Sequence, residues 1–363
     1  MSNRGRTWDY QVHSTKDLQL LGSAKLPKSH RDYYNEGAMD LIILRENESA
    51  YDRYRIRPQV LRGLTNLDLS TTIFGSRVKF TFGFSPTAMQ GLAHPDGGVA
   101  TSKATASVNV PMGLSNYASK PLEEVASHGT GNPYMMQMSL LKDKKVMINV
   151  LKRAEAAGFK AILVTLDCPY LGRRLNEFRD NFSVPKGMEW PNLFPGVDVT
   201  NLEDGNDDLA YDISLEWKDI MPFFREHTKS DIWGKGIYGK KDAEKAINAG
   251  FDGIIISNHG GRQLDSVPAS LDVLREVAPI TKGRIPVVID GGIPLVLGAD
   301  FCLAGRLAIW GLAYDGQRGV ELALNLMYDE FVTAMALAGC RNVSEINSEF
   351  LSMLTPDGIL SKL

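Results

Sequence analysis

The strongest chemical signal in the sequence is a histidine beside glycines in the stretch SNHGGRQLD, residues 257–265. The stretch follows an apolar run, so His259 is expected at the carboxyl end of a strand, where barrel enzymes place their catalytic groups. A histidine titrates near neutral pH and can accept a proton from a substrate and return it. A lone histidine is more often structural, but the glycines, the strand end and the nearby Arg262 favour an acid–base role. The Arg262 guanidinium is suited to binding a carboxylate.

Three further charged residues stand at the ends of apolar runs or just beyond them. Asp167 ends the run AILVTLD and could stabilise a protonated His259, with capping of the next loop as the alternative. Arg174 follows the same run and is expected to contact a substrate carboxylate or a phosphate, with plain surface charge as the alternative. Lys235 lies in an apolar, glycine-rich run and is expected to meet an anion, unless it is an exposed lysine beside a turn.

Glycines and an arginine towards the end of the chain indicate a phosphate site. Asp290-Gly291-Gly292 and Gly305-Arg306 each end an apolar run. In eight-stranded barrels, the loops after the last two strands commonly hold a phosphate through backbone amides and a cation. The other histidines have no comparable context and are interpreted as structural or surface residues: His13, His30, His94, His128 and His227.

The elements that must position these residues alternate between apolar, β-branched runs and helical patterns. The stretches 142–158 and 240–250 have helical patterns, and each is closed by a glycine. Alternating strands and helices predict parallel strands joined by crossover helices, and eight such runs predict an α/β fold closed as a TIM (β/α)8 barrel. The predicted strands are 78–85, 110–115, 133–139, 161–167, 230–236, 252–258, 285–292 and 299–305.

The chain is predicted to form a single domain over residues 1–363. Its parts are an N-terminal helical cap, the barrel and a C-terminal tail: 1–77, 78–340 and 341–363. A final helix is expected from about Val320 to Ala338. The connection between the seventh and eighth strands, residues 293–298, is shorter than the roughly 10–12 residues that a crossover with a helix needs. The seventh crossover is therefore predicted to lack its helix.

Composition excludes several classes of protein. The 40 basic and 43 acidic residues are intermixed, with a net charge of −3, so nucleic acid is not an expected partner. No apolar run reaches membrane-spanning length, so a membrane is not an expected partner either. Three dispersed cysteines indicate reduced thiols rather than a disulfide or zinc framework. The printed sequence ends in Ser361-Lys362-Leu363, a tripeptide that predicts a peroxisomal location.

Together these motifs resemble the FMN-dependent α-hydroxy-acid oxidases. The resemblance covers nearly the whole chain, and the SNHGGRQLD stretch is its most specific part. The other matching segments are Leu26-Pro27, Asp32-Tyr33-Tyr34, Ser85-Pro86-Thr87-Ala88-Met89, Ala93-His94-Pro95, Leu171-Gly172-Arg173-Arg174 and Asp290-Gly291-Gly292.

The resemblance implies a role for each candidate residue. His259 would be the base that takes the α-proton, or the hydroxyl proton if a hydride moves to the flavin, and Asp167 would support the resulting cation. Arg262 and Arg174 would bind the substrate carboxylate, and Tyr33 would add a hydroxyl contact. Residues at the barrel mouth would hold the FMN: Lys235 near N1 of the reduced ring, Pro86, Thr87 and Ala88 beneath the ring, Ser115, Gln137, Thr165 and Ser257 around it, and Asp290, Gly291, Gly292, Gly305 and Arg306 at the phosphate end.

The implied activity is oxidation of a 2-hydroxy acid, or of a related biosynthetic intermediate, with reduction of O2 to H2O2. The resemblance also implies a homotetramer. Two alternatives stay open at this point. One is a flavin-poor or inactive relative that acts as an assembly partner. The other is a dehydrogenase that passes electrons to a different acceptor, which the absence of a preceding haem domain and the peroxisomal tripeptide make the weaker alternative.

Three features depart from the pattern of the family. Ser139 stands where the family has a tyrosine that touches the substrate hydroxyl, and Tyr117 stands where a tryptophan is frequent. Both changes predict a larger or more polar pocket and an unusual substrate. The short seventh crossover lacks the arginine-bearing loop and the helix that normally follow Asp290-Gly291-Gly292. Their loss is expected to weaken flavin binding and stability.

Overall fold

The computed structural model describes residues 7–201, 210–291, 295–355 and 357–362. Within them, the first part of the chain forms the helices α1 (Thr15–Ala24), α2 (Lys28–Asn35) and α3 (Ile42–Ser49). Strand β1 (Tyr54–Ile56) follows, and then β2 (Thr71–Ile73) and β3 (Ser76–Val78) form an antiparallel hairpin. The predicted helical cap is therefore present at the start of the chain.

The centre of the molecule is a closed barrel of eight parallel strands, each hydrogen-bonded to the next along the chain, with the last strand bonded to the first. Long apolar runs such as Ile254–Ile256 are buried on both faces, as is typical of parallel strands enclosed by helices. The predicted (β/α)8 barrel is confirmed. Its strands are β4 (Phe82–Phe84), β5 (Met112–Ser115), β6 (Tyr134–Met138), β7 (Ala161–Thr165), β8 (Asp231–Ile237), β9 (Gly253–Ile256), β10 (Val287–Asp290) and β11 (Phe301–Ala304).

Side chains fill the interior of the barrel and close its amino end. Phe74 and Val78 of the β2–β3 hairpin pack into one buried cluster with Met135, Trp233 and Phe301 from the strands. The predicted first strand, 78–85, is thus divided between the hairpin and β4. Because the hairpin closes the amino end, the interior of the barrel opens at its carboxyl end, where loops follow the strands.

Helices surround the barrel. Asp143 begins α6 by accepting hydrogen bonds from the amides of Lys145 and Val146, and Gly250, with a φ of 85°, ends α9. Both helices lie where the sequence predicts them. The helices after β4 are α4 (Gly97–Val108), α5 (Leu122–Ala126), α6 (Lys144–Ala156), α7 (Leu175–Arg179), α8 (Trp217–His227), α9 (Lys240–Ala249), α10 (Ser270–Thr281) and α11 (Arg306–Ala338).

The crossover between β10 and β11 is short. Its described residues contain a single 3-10 turn, Leu295–Leu297, while Gly292, Ile293 and Pro294 lie outside the described residues. Leu295 is buried, and Gly298 packs closely against Ala278 of α10. The prediction of a shortened seventh crossover is confirmed, and the described residues between β10 and β11 contain no α-helix.

The last helix is longer than the sequence predicts, and the tail forms a small sheet outside the barrel. The sequence placed the start of the last helix near Val320, but α11 begins at Arg306, directly after β11, and kinks at Asp315 and Gly316. Beyond it, β12 (Leu351–Leu354) pairs with both β1 and β13 (Leu360–Lys362), so the tail joins the N-terminal part of the chain in one sheet. The limits of cap, barrel and tail stay a prediction. No helix in the described parts of the chain has the length and apolar character needed to cross a membrane.

Candidate active site

A cavity of about 960 Å³ opens at the carboxyl end of the barrel. Its volume lies in the range typical of small-molecule and cofactor sites. Most of the residues predicted from the sequence line it: Tyr33, Pro86, Thr87, Ala88, Ser115, Gln137, Thr165, Arg174, Lys235, His259, Arg262, Asp290, Gly291, Gly305 and Arg306. Asp167 and Ser257 support this lining through hydrogen bonds, and Gly292 is outside the described residues.

His259 and Asp167 form a pair between the ends of β9 and β7. Nδ1 of His259 lies 3.1 Å from Oδ1 and 3.2 Å from Oδ2 of Asp167, whose side chain is completely buried. Burial lowers the pKa of His259 below its usual value, while the negative charge of Asp167 opposes this shift. The imidazole is therefore neutral near pH 7, with one ring nitrogen fixed by the carboxylate.

The backbone at His259 is strained. His259, Gly260 and Gly261 all have a positive φ, of 57°, 64° and 75°. Glycine adopts this left-handed region freely, but a residue with a Cβ pays about 1 kcal/mol or more. The Oγ of Ser257 accepts a hydrogen bond from the His259 amide at 3.0 Å and helps to hold the turn. The two glycines after the histidine thus let the chain turn sharply enough to bring the imidazole to the cavity.

Arg262 and Arg174 lie together at the cavity wall. The Arg262 guanidinium is 4.8 Å from the centre of the Tyr33 ring, and its Nη1 donates to the Tyr33 carbonyl. Glu177 contacts both arginines, with its Oε1 3.4 Å from Arg174 and 3.6 Å from Arg262. Burial, and then the charge of Arg174, lower the pKa of Arg262 to about 9, so the Arg262 guanidinium is still a cation at pH 7. Two cations facing one carboxylate leave a positive charge for an anionic ligand.

A glycine permits the arginines to meet. Gly172 packs so closely against the histidine loop that an added Cβ would lie 2.3 Å from the Arg262 carbonyl oxygen. The Arg174 Nε donates to that same carbonyl at 3.1 Å, and its Nη2 donates to Oε1 of Gln263 at 3.1 Å. The Leu171–Arg174 segment after β7 is thereby joined to the SNHGGRQLD loop after β9.

Lys235 is buried next to an acidic partner. Its Nζ lies 3.2 Å from Oδ2 of Asp290 and donates to Oγ of Ser257 at 3.1 Å. Asp290 also accepts hydrogen bonds from Ser85 at 2.5 Å and from Ser257 at 2.9 Å. Burial disfavours both charges, but the attraction between the two groups outweighs it. The charge of Asp290 raises the pKa of Lys235, and the charge of Lys235 lowers the pKa of Asp290. The pair is a buried cation and anion at the barrel mouth.

A row of neutral polar side chains crosses the ends of β5, β6 and β7. Gln137 accepts from the Ser115 hydroxyl at 3.1 Å and donates to the Thr165 hydroxyl at 2.9 Å. Its amide nitrogen also donates to the Ser139 hydroxyl at 3.3 Å. The row offers both donors and acceptors to a flat polar edge placed in the cavity.

Arg306 has a structural role that the sequence did not reveal. Its Nε donates to the Tyr34 carbonyl at 2.9 Å, and its Nη2 donates to the carbonyls of Gly260 at 2.8 Å and Glu36 at 3.2 Å. These bonds join the N-terminal helices to the histidine loop. Gly305 and Arg306 also begin α11, and the amides at a helix start favour a phosphate. The predicted phosphate contact of Arg306 itself stays a prediction.

The remaining polar residues of SNHGGRQLD hold the N-terminal cap. Asn258 and Asn47 of α3 exchange two side-chain hydrogen bonds, at 2.7 and 2.9 Å. The carboxylate of Asp265 accepts from the amides of Ile43 at 2.9 Å and Asp40 at 3.1 Å, at the start of α3. The stretch thus serves both the cavity and the attachment of the cap.

The sequence-based prediction missed three residues at the site. Ser85 bonds to Asp290, Glu177 contacts both arginines, and Tyr211 lines the cavity. The spacing of Glu177, three residues after Arg174, was an available signal, because side chains at that spacing share a helix face. Tyr211 lies far along a long loop, where no local pattern indicates that the chain returns to the site.

The carboxyl end of the barrel carries a histidine–aspartate pair, a buried lysine and two arginines, a set suited to proton transfer on an anionic ligand. Comparison with known proteins gives the family. Residues 22–353 match the family model described as FMN-dependent dehydrogenase. The chain belongs to the FMN-dependent hydroxy-acid oxidase family, and it is an FMN-dependent oxidoreductase.

Relatives and solved structures cover most of the chain. Oxidase FUB9 of Fusarium oxysporum f. sp. lycopersici is 46% identical over 365 residues, which cover 97% of this chain and 94% of the relative. Glycolate oxidase of Spinacia oleracea is 39% identical over 357 residues, covering 94% and 96%. The crystal structure of mandelate oxidase with benzoyl-formic acid has a TM-score of 0.84 at 34% identity, and the match covers 92% of this chain and 97% of that one.

The cavity fits FMN. The Ser115–Gln137–Thr165 row can bond to the polar edge of a flavin, and the buried Lys235 supplies a cation beside it. The amides at the start of α11 are suited to the phosphate. These observations and the family membership do not favour the alternative of an inactive assembly partner, since the paired His259 and Asp167 are also in place.

Proposed function

We propose that this protein oxidises a 2-hydroxy acid, or a related biosynthetic intermediate, to the corresponding 2-oxo acid and reduces O2 to H2O2. The observation that carries the proposal is the meeting, in one cavity, of a carboxylate-paired histidine with two arginines. The first group can take a proton, and the second can bind the acid. The names of the oxidase, glycolate oxidase and mandelate oxidase relatives support it.

The arginines would orient the substrate. Arg262 and Arg174 would bind its carboxylate, because Glu177 balances only one of their two charges. Tyr33 lies under the Arg262 guanidinium and would add its hydroxyl to the same group. Because two arginines would hold the carboxylate, the neighbouring α-carbon of the substrate would face His259 in a single orientation.

His259 would remove a proton from the bound substrate. Since Nδ1 is bonded to Asp167, Nε2 is the nitrogen for the substrate proton, and the Asp167 carboxylate stabilises the cation that forms. FMN, when bound, supplies the redox chemistry by accepting two electrons from the substrate and passing them to O2. Lys235 would hold a positive charge beside the flavin ring, and Pro86, Thr87 and Ala88 would support one face of it.

The test is the visible absorption spectrum of the purified protein before and after anaerobic addition of 2-hydroxy acids. Bleaching of a flavin spectrum, followed in air by O2 uptake with an equal amount of H2O2, is expected. A reduced flavin that reacts with an artificial acceptor but not with O2 would contradict the oxidase and favour a dehydrogenase. A flavin that no 2-hydroxy acid bleaches would contradict the proposed substrate class.

We also propose a peroxisomal location, because the oxidase produces peroxide and Ser361-Lys362-Leu363 is a peroxisomal address. Leu363 lies outside the described residues. The test is to remove Leu363 from a protein that carries a fluorescent tag at its other end. The tagged protein is expected to move from peroxisomes to the cytosol, and continued import would contradict the address.

A homotetramer is the proposed assembly. The resemblance to the family supports this assembly, and Val60 and Leu61, which are apolar and exposed at 81% and 101%, are the positions at which we probe a contact between subunits. Light scattering during size-exclusion chromatography measures the mass directly. Replacement of Val60 and Leu61 by Ser is expected to lower that mass, and a monomeric starting protein would contradict the proposal.

A further inference from the structure

We infer that Tyr211 is a substrate-binding residue of this active site, where its phenol hydroxyl contacts a substrate oxygen that Ser139 is too short to reach. The inference rests on the proposed function. It concerns the wall of the cavity formed by Tyr211, Tyr117 and Ser139. We call these three residues the phenol wall.

The backbone fixes Tyr211 beside the end of β6. The Lys142 amide donates to the Ala210 carbonyl at 2.9 Å, and the Asp212 amide donates to the Leu140 carbonyl at 2.8 Å. Tyr211 lies between these bonds, opposite Leu141 in an antiparallel bridge. The next residue in the chain, Asp212, forms an ion pair of 2.7 Å with Lys144. Backbone hydrogen bonds of the kind found in a β-sheet therefore hold Tyr211 beside Leu141, which is two residues after Ser139 in the chain.

The side chains of Tyr117 and Tyr211 in the phenol wall contact each other. The hydroxyls of Tyr117 and Tyr211 lie 3.5 Å apart, at the limit of a hydrogen bond. The Tyr117 ring packs edge-on against Trp190, with ring centres 5.1 Å apart, and its amide donates to the Ser115 hydroxyl. Trp190 and Tyr211 both belong to the long connection between β7 and α8. This connection therefore supplies Tyr211 to the phenol wall and supports Tyr117 through Trp190.

The chemistry of the phenol wall differs from that of the arginine pair. Burial raises the pKa of both Tyr117 and Tyr211, so both phenols stay protonated and neutral. A neutral phenol donates a hydrogen bond to an uncharged oxygen, whereas Arg262 and Arg174 attract the carboxylate. Ser139 is buried and already accepts from Gln137. We therefore expect the Tyr211 hydroxyl to donate a hydrogen bond to the hydroxyl or oxo oxygen on the carbon next to the carboxylate. The rings of Tyr117 and Tyr211 favour a substrate with a sizeable side chain.

The test compares Tyr211→Phe with Tyr170→Phe in the flavin-loaded protein. Tyr170 is a matched control because it is in the same connection but 68% exposed and outside the cavity lining. Two quantities are measured: the anaerobic rate of flavin reduction by mandelate and by glycolate, and the dissociation constant of benzoylformate from its effect on the flavin spectrum. For Tyr211→Phe, both the rate at low substrate concentration and the affinity are expected to fall about 10- to 100-fold. The control is expected to stay within about twofold.

A rescue variant separates a contact from a structural role. Adding Ser139→Tyr to Tyr211→Phe returns a phenol to the wall from β6 and is expected to recover part of the lost affinity. Equal behaviour of Tyr211→Phe and Tyr170→Phe would overturn the inference while leaving the proposed function intact. If none of the acids reduces the flavin of the unchanged protein, the proposed function fails, and the inference fails with it.

Discussion

At the scale of single residues, His259 combines two unusual properties. Its backbone is in the left-handed region, and its half-buried imidazole is paired with a completely buried carboxylate. Strain of this kind is retained when the surrounding structure fixes it, and here Ser257, Gly260 and Asp167 do so. The expected consequence is that no other residue with a large side chain performs the same chemistry at this position.

The first prediction is that His259→Gln keeps its flavin but loses flavin reduction. Glutamine has a similar length but cannot accept a proton, so the anaerobic reduction rate is expected to fall by about 10²- to 10⁴-fold. The control is His13→Gln, since His13 is exposed and does not line the cavity. Reduction of His259→Gln at the rate of the control would show that His259 is not the base.

The second prediction concerns pH. The base must be neutral, so kcat/KM is expected to rise with pH and become constant above the pKa of His259. Burial lowers that pKa below the usual 6.5, and Asp167 opposes the shift. Asp167→Asn removes the opposing charge and is expected to move the rise to lower pH. A rise centred above pH 6.5, or a shift to higher pH in the variant, would contradict this assignment.

The third prediction is that Gly172→Ala damages substrate binding without touching the substrate. Its Cβ would overlap the Arg262 carbonyl, so the Arg174 segment must move at a cost of about 1–3 kcal/mol. The KM for a 2-hydroxy acid is expected to rise about tenfold, because a loss of about 1.4 kcal/mol of binding free energy is a factor of ten in affinity. Gly239→Ala is the control. A Cβ added there would lie 3.7 Å from its nearest neighbour, Oε1 of Glu276, and the φ of Gly239 is 177°, which any residue adopts. Equal KM values in both variants would refute the argument.

The residue scale also marks the limit of prediction from sequence. His259, Asp167 and Lys235 were predictable because each stands at or just after a strand end, and the barrel brings strand ends together. Glu177 and Tyr211 come from the long connection after β7, whose path depends on tertiary contacts. Arg306 shows a different limit: its position was predicted, but its bonds to three carbonyls of the cap and the histidine loop depend on packing.

At the scale of elements, one loop supports two functions. The turn after β9 presents His259 to the cavity, and the same turn holds α3 through Asn258 and Asp265. The strands and most helices were predictable because apolar runs and terminal glycines have local causes. The start of α11 was not, since glycines and the kink at Asp315 interrupt its helical pattern.

The fourth prediction is that Asp265→Ala loosens α3. Three amides at the start of that helix lose their acceptor, and loss of a helix cap costs about 0.5–2 kcal/mol. Thermal unfolding is expected to shift down by about 1–3 °C for a chain of this length, and limited proteolysis should cut first near residues 36–49. Asp96→Ala is the control, because Asp96 precedes α4 without a side-chain cap. Unfolding of both variants at one temperature would contradict this role.

At the scale of the whole molecule, the cavity is shared by the barrel and the cap, so the cofactor should link them. Tyr33 and Tyr51 of the cap and Lys235 and Gly305 of the barrel line the same space. Ligand that binds only the folded protein stabilises it in proportion to the logarithm of its concentration. The integrity of the cap is therefore expected to depend on the flavin.

The fifth prediction is a rise in the Tm of the flavin-free protein on addition of FMN. At a hundredfold excess over the Kd, the gain is about 2.7 kcal/mol, which corresponds to several degrees. Circular dichroism measures the transition without interference from flavin emission. Riboflavin, which lacks the phosphate, serves as the matched ligand and is expected to give a smaller shift. Equal shifts would contradict a phosphate contact at the start of α11.

The short connection between β10 and β11 has a consequence for the engineering of such barrels. Ring closure depends on hydrogen bonds between neighbouring strands, and β10 and β11 pair although the described residues of their connection contain only a 3-10 turn at Leu295–Leu297. In the part of the connection that the structure describes, ring closure therefore does not depend on an outer α-helix. The same position should accept a grafted helix or a foreign peptide in an engineered variant, which makes it an entry point for modular redesign.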